Sequence, residues 1–287
     1  MNFNNLEGFI FLDGELIEWA DAKLHVLSHG LHYASSVFEG ERVYKGKIFK
    51  EEMHTDRLML SAKTLGFQIP YDSKEISDIR RKVLKANNIS DGYIRPVAWR
   101  GSEMMGISAQ KNKIHFALAA WQWPSYFSPE AKLKGIKLNI SKWKRPNPET
   151  APVNTKAAGL YMICTLSKHE AESLGFDDSL MLDYRGYIAE ATGANIFFVR
   201  DKTLYTPIAD CFLNGITRQT VISLARNEGI VVTEKRIVLE DLNNFEECFV
   251  TGTAAEVTPV NKIQDYDFKP GKICQLLMKR YSELTLK

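Results

Sequence analysis

Pairs of turn-forming residues recur between short apolar runs, and they limit this chain to folds rich in antiparallel pairing. Asp13-Gly14 separates Phe9-Ile10-Phe11-Leu12 from Glu15-Leu16-Ile17-Glu18-Trp19, and Lys45-Gly46 separates Glu41-Arg42-Val43-Tyr44 from Lys47-Ile48-Phe49. Two-residue links of this kind favour hairpins, because the turn they form matches the twist of the flanking strands. Farther on, Arg185-Gly186 and Asp201-Lys202 punctuate short strands predicted over 179–183, 187–190, 194–199 and 203–205.

Helical patterns alternate with these strands. Two amphipathic helices are predicted near 52–66 and 73–87, the first ending at Gly66 as a C-cap. Strands over 93–99 and 113–121 enclose a loop, 101–110, that carries Met104, Met105, Gly106 and Ile107. Between 121 and 129 aromatic residues and prolines replace the strand pattern, which marks an interdomain connector. Beyond it the pattern predicts a strand over 135–143, a helix through Leu174 stopped by Gly175, and a helix from Asn214-Gly215-Ile216-Thr217-Arg218 to near Gly229. A strand over 231–236, a short helix near Glu240, a strand over 248–251 and a terminal helix complete the chain. The expected class is α+β, with a smaller N-terminal domain over 1–122, a connector over 123–134 and a larger domain over 135–287.

At 287 residues the chain is long enough for two cores. A net charge of +2 provides no general attraction to nucleic acid or anionic lipid, and no apolar run approaches the roughly 20 residues needed to span a bilayer. The first residues, Met1 to Glu7, lack the basic start and apolar stretch of a secretory signal. Cys164, Cys211, Cys248 and Cys274 are scattered without a CxxC pair, as expected of thiols in a reducing cytoplasm. His25, His29 and His32 lie close together, yet no Cys or carboxylate set accompanies them, so packing or loop hydrogen bonding is the better expectation than a metal.

The stretch Pro152-Val153-Asn154-Thr155-Lys156-Ala157-Ala158-Gly159-Leu160-Tyr161 sets a lysine among small residues at the start of an apolar helical run. A cation there opposes the helix dipole. The ordinary reading is a solvated side chain; the alternative is a functional amine beside backbone that a bulky group can approach. Gly215-Ile216-Thr217 opens a helix, where unpaired amides favour an anion. Gly252-Thr253-Ala254 is a second small-residue loop after a strand. Arg57 is either a surface arginine of the first helix or the third side of a phosphate site. Glu190, at the end of an apolar strand, faces either solvent or a cleft, with Asn195 near enough in sequence to steady it.

Taken together, Val26-Leu27-Ser28-His29-Gly30-Leu31-His32-Tyr33, Val37-Phe38-Glu39-Gly40, Tyr93-Ile94-Arg95-Pro96, Lys156 to Tyr161, Tyr187 to Asn195, Asn214 to Arg218 and Thr251 to Pro259 resemble the bacterial branched-chain-amino-acid aminotransferases. These are class IV, fold type IV enzymes that use pyridoxal 5′-phosphate, and the matching segments run in order over nearly the whole chain. The resemblance implies a small α/β domain followed by a larger one with a barrel-like sheet. It implies that Lys156 carries the cofactor as an internal aldimine and moves the substrate proton, a role needing an amine that can lose its proton near neutrality. It assigns Glu190 to the pyridine nitrogen and Tyr161 to the phenolic oxygen of the ring. Arg57, Ile216, Thr217 and Thr253 are assigned to the phosphate. Ala254 and Ala255 would meet the substrate α-carboxylate through their amides.

The resemblance also implies an apolar side-chain pocket walled by Tyr33, Phe38, Gly40, Trp123, Tyr126 and Tyr161. Arg95, tethered by Tyr33 or Tyr93, would take the second carboxylate of glutamate or 2-oxoglutarate. Met105 and Ile107 match a loop that in the family enters the neighbouring subunit's pocket, which implies a homodimer or larger homo-oligomer. Two departures bear on substrate range. Gly101 to Gly106 is bulkier and more acidic than the family pattern, and Ala194 stands where bacterial relatives often carry Glu. The alternatives are another class IV enzyme (a D-amino-acid or (R)-amine transaminase, or aminodeoxychorismate lyase) and a scaffold that has lost its cofactor. Tyr93-x-Arg95 and Gly252 to Glu256 argue against the D-amino-acid enzyme and the lyase, and the joint presence of Lys156, Glu190 and both phosphate loops argues against decay.

Overall fold

Hairpins form where the turn pairs stand. The computed structural model describes residues 2–123 and 129–286, and the chain divides into two compact units. One comprises Met1–Pro124 with Thr155–Gly159, the other Ser125–Asn154 with Leu160–Lys287. The short return of 155–159 to the first unit brings Lys156 with it.

The first unit holds strands β1 (Phe9–Leu12), β2 (Glu15–Glu18), β3 (Ser36–Phe38), β4 (Glu41–Tyr44), β5 (Lys47–Ile48), β6 (Gly92–Arg100) and β7 (Ile114–Trp121). Its helices are α1 (His29–Tyr33), α2 (Glu51–Thr64) and α3 (Ser73–Ala86). The strands form one antiparallel sheet in the order β2-β1-β7-β6-β4-β5, with β3 also on β6. At the first turn Asp13 and Gly14 have φ of 49° and 111°, the left-handed pair that a two-residue hairpin requires. Alternation then sorts the faces. Phe11, Ile94, Ala98, Phe116, Leu118 and Ala120 pack in one core with Leu58 and Ala62 of α2 and Ile76, Ile79 and Val83 of α3. The opposite face, with Ile10, Leu12, Val97, Trp99, Ala117 and Ala119, borders a cavity of about 340 Å³ that Arg95 also lines. Helix α3 begins with a capping box in which Asp72 accepts from the Glu75 amide at 2.8 Å and the Glu75 carboxylate accepts from the Asp72 amide at 2.7 Å.

The second unit holds α4 (Pro129–Lys134), which lies within the expected connector, then β8 (Ile136–Ile140), α5 (Met162–Ser173), β9 (Asp178–Leu182), β10 (Ile188–Ala191), β11 (Asn195–Arg200) and β12 (Thr203–Pro207). It continues with α6 (Ile216–Asn227), β13 (Val232–Lys235), β14 (Glu247–Gly252), β15 (Glu256–Ile263), β16 (Tyr266–Asp267) and α7 (Lys272–Thr285). Strands β8, β9, β10, β11, β14 and β15 pair in that order and β15 returns to β8, so the sheet closes into a barrel. Strand β11 is buried on both faces. Ile196 and Phe198 join a cluster with Ile136, Leu138, Leu180, Val250 and Val260. On the other face Phe197 stacks on Phe249 with centroids 5.1 Å apart. That explains why the sequence there reads as a continuous apolar run and not an alternating one. Helix α6 packs on β14, and α7 packs on β15.

Strand β15 has no counterpart in the sequence prediction. It contains Pro259, which cannot donate to a ladder and ordinarily argues against a central strand. Here it lies opposite Phe249 of β14, and the parallel pairing to β8 shifts register between Val260 and Lys262.

Candidate active site

Lys156 lies in the first unit, tied down by its backbone. Its amide donates to Ser61 Oγ at 3.0 Å, and its carbonyl accepts from the Phe38 amide at 3.2 Å. Next to it Ala157 bridges to Val37, and a Cβ on Gly159 would stand 3.0 Å from the Ala34 Cβ. The small residues after Lys156 therefore serve close packing of chain on chain, a use the sequence left unrecognised.

Two cations share one aromatic ring. Lys156 Nζ stands 4.9 Å from the Phe38 ring centroid and the Arg95 guanidinium carbon 4.7 Å from it. The register explains Arg95: Phe38 pairs with Val97, which puts the same-face residue two positions away on the diagonal. Arg95 lies 5.5 Å from the Tyr93 ring and donates a long 3.4 Å bond to the Tyr93 hydroxyl, while its buried Nε has no hydrogen-bond partner among the described residues. Gly40 is needed beside this pair, since a Cβ there would fall 1.8 Å from the Tyr93 hydroxyl. The Tyr93 ring also meets Trp123, centroids 4.9 Å apart.

Arg57 is no surface arginine. Its Nε and Nη2 donate to Glu39 Oε1 and Oε2 at 2.6 and 2.9 Å. His54 Nδ1 lies 2.7 Å from Oε2. Burial alone would raise the Glu39 carboxyl, but the Arg57 charge and the hydrogen bonds from His54 and Arg57 outweigh it and hold that carboxyl far below the usual range.

The histidines near residue 30 bond to loops, as expected. His29 Nε2 pairs with the Gly106 carbonyl and His32 Nε2 with that of Val26, both at 2.8 Å, and His25 Nδ1 accepts from the Leu27 amide at 3.1 Å. Tyr33 stacks on His29 at 4.5 Å. The loop bearing Met105 and Ile107 is anchored within its own chain, because Asn112 Nδ2 donates to the Gly101 and Met104 carbonyls. Ile107 nevertheless is 85% exposed.

In the second unit Glu190, Asn195 and Thr251 stand opposite one another on β10, β11 and β14. Asn195 Nδ2 donates to Glu190 Oε2 at 3.1 Å, and Asn195 Oδ1 accepts from the Gly215 amide at 3.1 Å. One side chain thus joins the carboxylate to the start of α6. Gly215 leaves room for this contact, since a Cβ there would lie 2.2 Å from Asn195 Oδ1 and displace that side chain. Among the described residues no side chain caps α6, and Ile216 and Thr217 in its first turn are buried. Arg218, in contrast, points into structure, bonding Asn214, Glu234 and the Pro207 carbonyl.

Gly252 pairs with Glu256, so Thr253, Ala254 and Ala255 form a three-residue hairpin loop. Beside it the buried Thr251 Oγ1 has no hydrogen-bond partner among the described residues. Gly252 approaches the neighbouring turn closely, since a Cβ on it would stand 3.3 Å from the Gly193 carbonyl oxygen. Tyr161 ends a 3-10 turn over Ala158–Tyr161 that leads into α5. Tyr126 lies outside the described residues.

Four residues here carried no functional role in the sequence reading: Glu39, His54, Ser61 and Arg145. Arg145, in irregular chain after β8, is 4% exposed. Its Nε is 3.4 Å from Glu190 Oε1, and its Nη1 donates to the Leu160 carbonyl at 3.3 Å. A buried arginine outside any periodic segment leaves no pattern to find; the only available signal was a cation in the stretch leading to Lys156.

The chain has relatives over nearly its whole length. A probable branched-chain-amino-acid aminotransferase of Rickettsia felis is 47% identical over 280 residues, covering 96% of this chain and 95% of that protein. The branched-chain-amino-acid aminotransferase of Pseudomonas aeruginosa is 41% identical over 292 residues, covering 99% and 95%. The crystal structure of the T.th. branched-chain amino acid aminotransferase with pyridoxamine 5′-phosphate superposes with a TM-score of 0.94 at 37% identity, covering 98% and 95%. With the amino-transferase class IV pattern matching residues 36–263, the chain belongs to the class IV aminotransferase family.

Proposed function

We propose that this chain is a pyridoxal 5′-phosphate-dependent transaminase that exchanges the amino group of L-leucine, L-isoleucine or L-valine with 2-oxoglutarate. The observation that carries the reading is the Phe38 ring, which has Lys156 Nζ on it at 4.9 Å and Arg95 at 4.7 Å. An apolar surface bounded by an amine and a guanidinium suits both substrates. It accepts a branched aliphatic chain, and it offers a cation to the second carboxylate of glutamate.

The residues present fit the cofactor. A buried carboxylate, Glu190, flanked by Arg145 and Asn195, suits a protonated ring nitrogen. The start of α6 and the Thr251 hydroxyl, neither with a side-chain partner among the described residues, suit an anion with several oxygens. When bound, pyridoxal 5′-phosphate supplies an electron sink for the carbanion at the substrate α-carbon. Lys156 would hold it covalently through Nζ, and that amine, once displaced by the amine of the substrate, would take the Cα proton. Glu190 would keep the ring nitrogen protonated, and Asn195 would hold the carboxylate for that task. Tyr161 would donate to the phenolic oxygen. Arg57, the Ile216 and Thr217 amides and the Thr253 hydroxyl would hold the phosphate, and the amides of Ala254 and Ala255 the substrate α-carboxylate. Tyr33, Phe38, Gly40, Tyr93, Trp123 and Tyr126 would wall the side-chain pocket.

A homodimer is part of the proposal, with Met105 and Ile107 reaching a partner's pocket. Their exposure of 46% and 85% on an internally anchored loop supports it. So is a cytoplasmic location, supported by four free, buried cysteines. Among the described residues no helix is long and apolar enough to cross a membrane.

A visible spectrum tests the reaction. A cofactor band that shifts with L-leucine and returns with 2-oxoglutarate is the expected result. A band that ignores L-leucine and answers D-alanine would keep the family and overturn the substrate.

A further inference from the structure

Glu39 and His54 are 0% and 1% exposed, and the proposed chemistry uses neither. Glu39 directly follows Phe38, and His54 precedes Arg57 on α2. The carboxylate accepts Arg57 Nε at 2.6 Å on one oxygen; on the other it meets Arg57 Nη2 at 2.9 Å, His54 Nδ1 at 2.7 Å and the Gly40 amide at 3.2 Å. Compared with apolar residues of the same size, a buried ion pair adds little net stability, because desolvation cancels most of the attraction. Orientation is the better account. Two bonds to one edge of a guanidinium fix the plane of its donor fork, which a single contact cannot do.

We propose that Glu39 is a positioning residue for the cofactor phosphate: it sets the plane of Arg57, and His54 steadies Glu39. The proposal rests on the reading of Arg57 as a phosphate ligand. The same Phe38-Glu39-Gly40 segment bonds the Lys156 carbonyl through the Phe38 amide, so one short strap orders both the lysine and the arginine.

Charge and orientation act in opposite directions here. The negative charge of Glu39 opposes an anion at Arg57, so removing it with Arg57 unmoved would tighten phosphate binding. A glutamine, however, faces one of the two Arg57 donors with its own NH₂, and two donors cannot share that space. The guanidinium is expelled from its plane, and orientation decides the sign.

The test is the affinity of the full-length protein, stripped and reloaded, for pyridoxal 5′-phosphate and for pyridoxal, which lacks the phosphate. Glu39→Gln is expected to weaken pyridoxal 5′-phosphate about tenfold or more, the scale of one charge-assisted bond, and to leave pyridoxal within about twofold. Arg57→Ala should do at least as much, and the double variant no more than Arg57→Ala alone. Equal or tighter pyridoxal 5′-phosphate binding in Glu39→Gln overturns the proposal, as does an equal loss for both ligands, the mark of a merely structural role. If Glu39→Gln does not fold, Glu39→Asp takes its place: it keeps the charge but withdraws the carboxylate, and wild-type retention there overturns the proposal too. If Arg57→Ala spares pyridoxal 5′-phosphate, the phosphate reading of Arg57 falls, a separate result from loss in Arg57→Ala without loss in Glu39→Gln.

Discussion

Ser61 links the helix that bears Arg57 to the backbone of Lys156: its Oγ accepts the Lys156 amide at 3.0 Å and donates to the Arg57 carbonyl at 2.7 Å. Ser61 is 1% exposed, so neither bond has water to replace it. Ser61→Ala should cost about 1–3 kcal/mol, since it leaves a buried amide unpaired. Urea unfolding of the two proteins measures this. A change within experimental error would show that the Lys156 amide finds another partner.

Lys156→Ala should abolish transamination and leave the fold intact. Its backbone bonds to Ser61 and to the Phe38 amide survive truncation of the side chain. Turnover and thermal unfolding are to be measured together. Near wild-type turnover would remove the lysine from the reaction.

Arg95→Leu should impair the glutamate half-reaction far more than the leucine half-reaction, by roughly tenfold or more, because only glutamate brings a second carboxylate to be paired. Arg95 has a buried Nε without a hydrogen-bond partner among the described residues and leans on the Phe38 and Tyr93 rings, so a leucine there keeps the apolar contacts. Single-turnover rates with each amino acid decide the matter. Equal losses would assign Arg95 to structure.

Gly215→Ala places a Cβ 2.2 Å from Asn195 Oδ1, and the Asn195 side chain must move. That breaks its bonds to the Gly215 amide and to Glu190 together. A loss of about 1–3 kcal/mol in stability is expected from the overpacking alone. A visible spectrum of the reloaded protein should show reduced cofactor occupancy, and full occupancy would separate Asn195 from cofactor binding.

The hairpins were legible because their information is local: Asp13-Gly14 and Lys45-Gly46 write the turn into two residues. Closure of the barrel is not local. It depends on β15 finding β8, two segments more than a hundred residues apart in sequence, and Pro259 made β15 look unlike a strand. The site divides in the same way. Lys156, Glu190 and the Gly215 and Gly252 loops stand in recognisable stretches, and Asn195 proved to hold Glu190 as expected. Arg145 and the Glu39–His54 pair derive their meaning from partners distant in sequence, at Glu190 and at Arg57. Periodicity carries no trace of such contacts.

The Glu39 carboxyl gives the protein an acid-sensitive contribution to stability. Burial pushes it up, but Arg57 and His54 together draw it far below the ordinary range. A carboxyl depressed on folding adds stability that is fully present above its unfolded value of about 4.3, and that is lost as the pH falls toward the folded value. The unfolding free energy should therefore be flat through this group near neutrality and decline below about pH 5. Glu39→Gln should be less stable near neutrality and should show a shallower acid decline, because the group that binds the extra proton in the unfolded chain is gone. Urea titrations at a series of pH values measure both. If the two proteins lose stability in parallel as the pH falls, other carboxylates govern the acid limb and Glu39 does not titrate with unfolding.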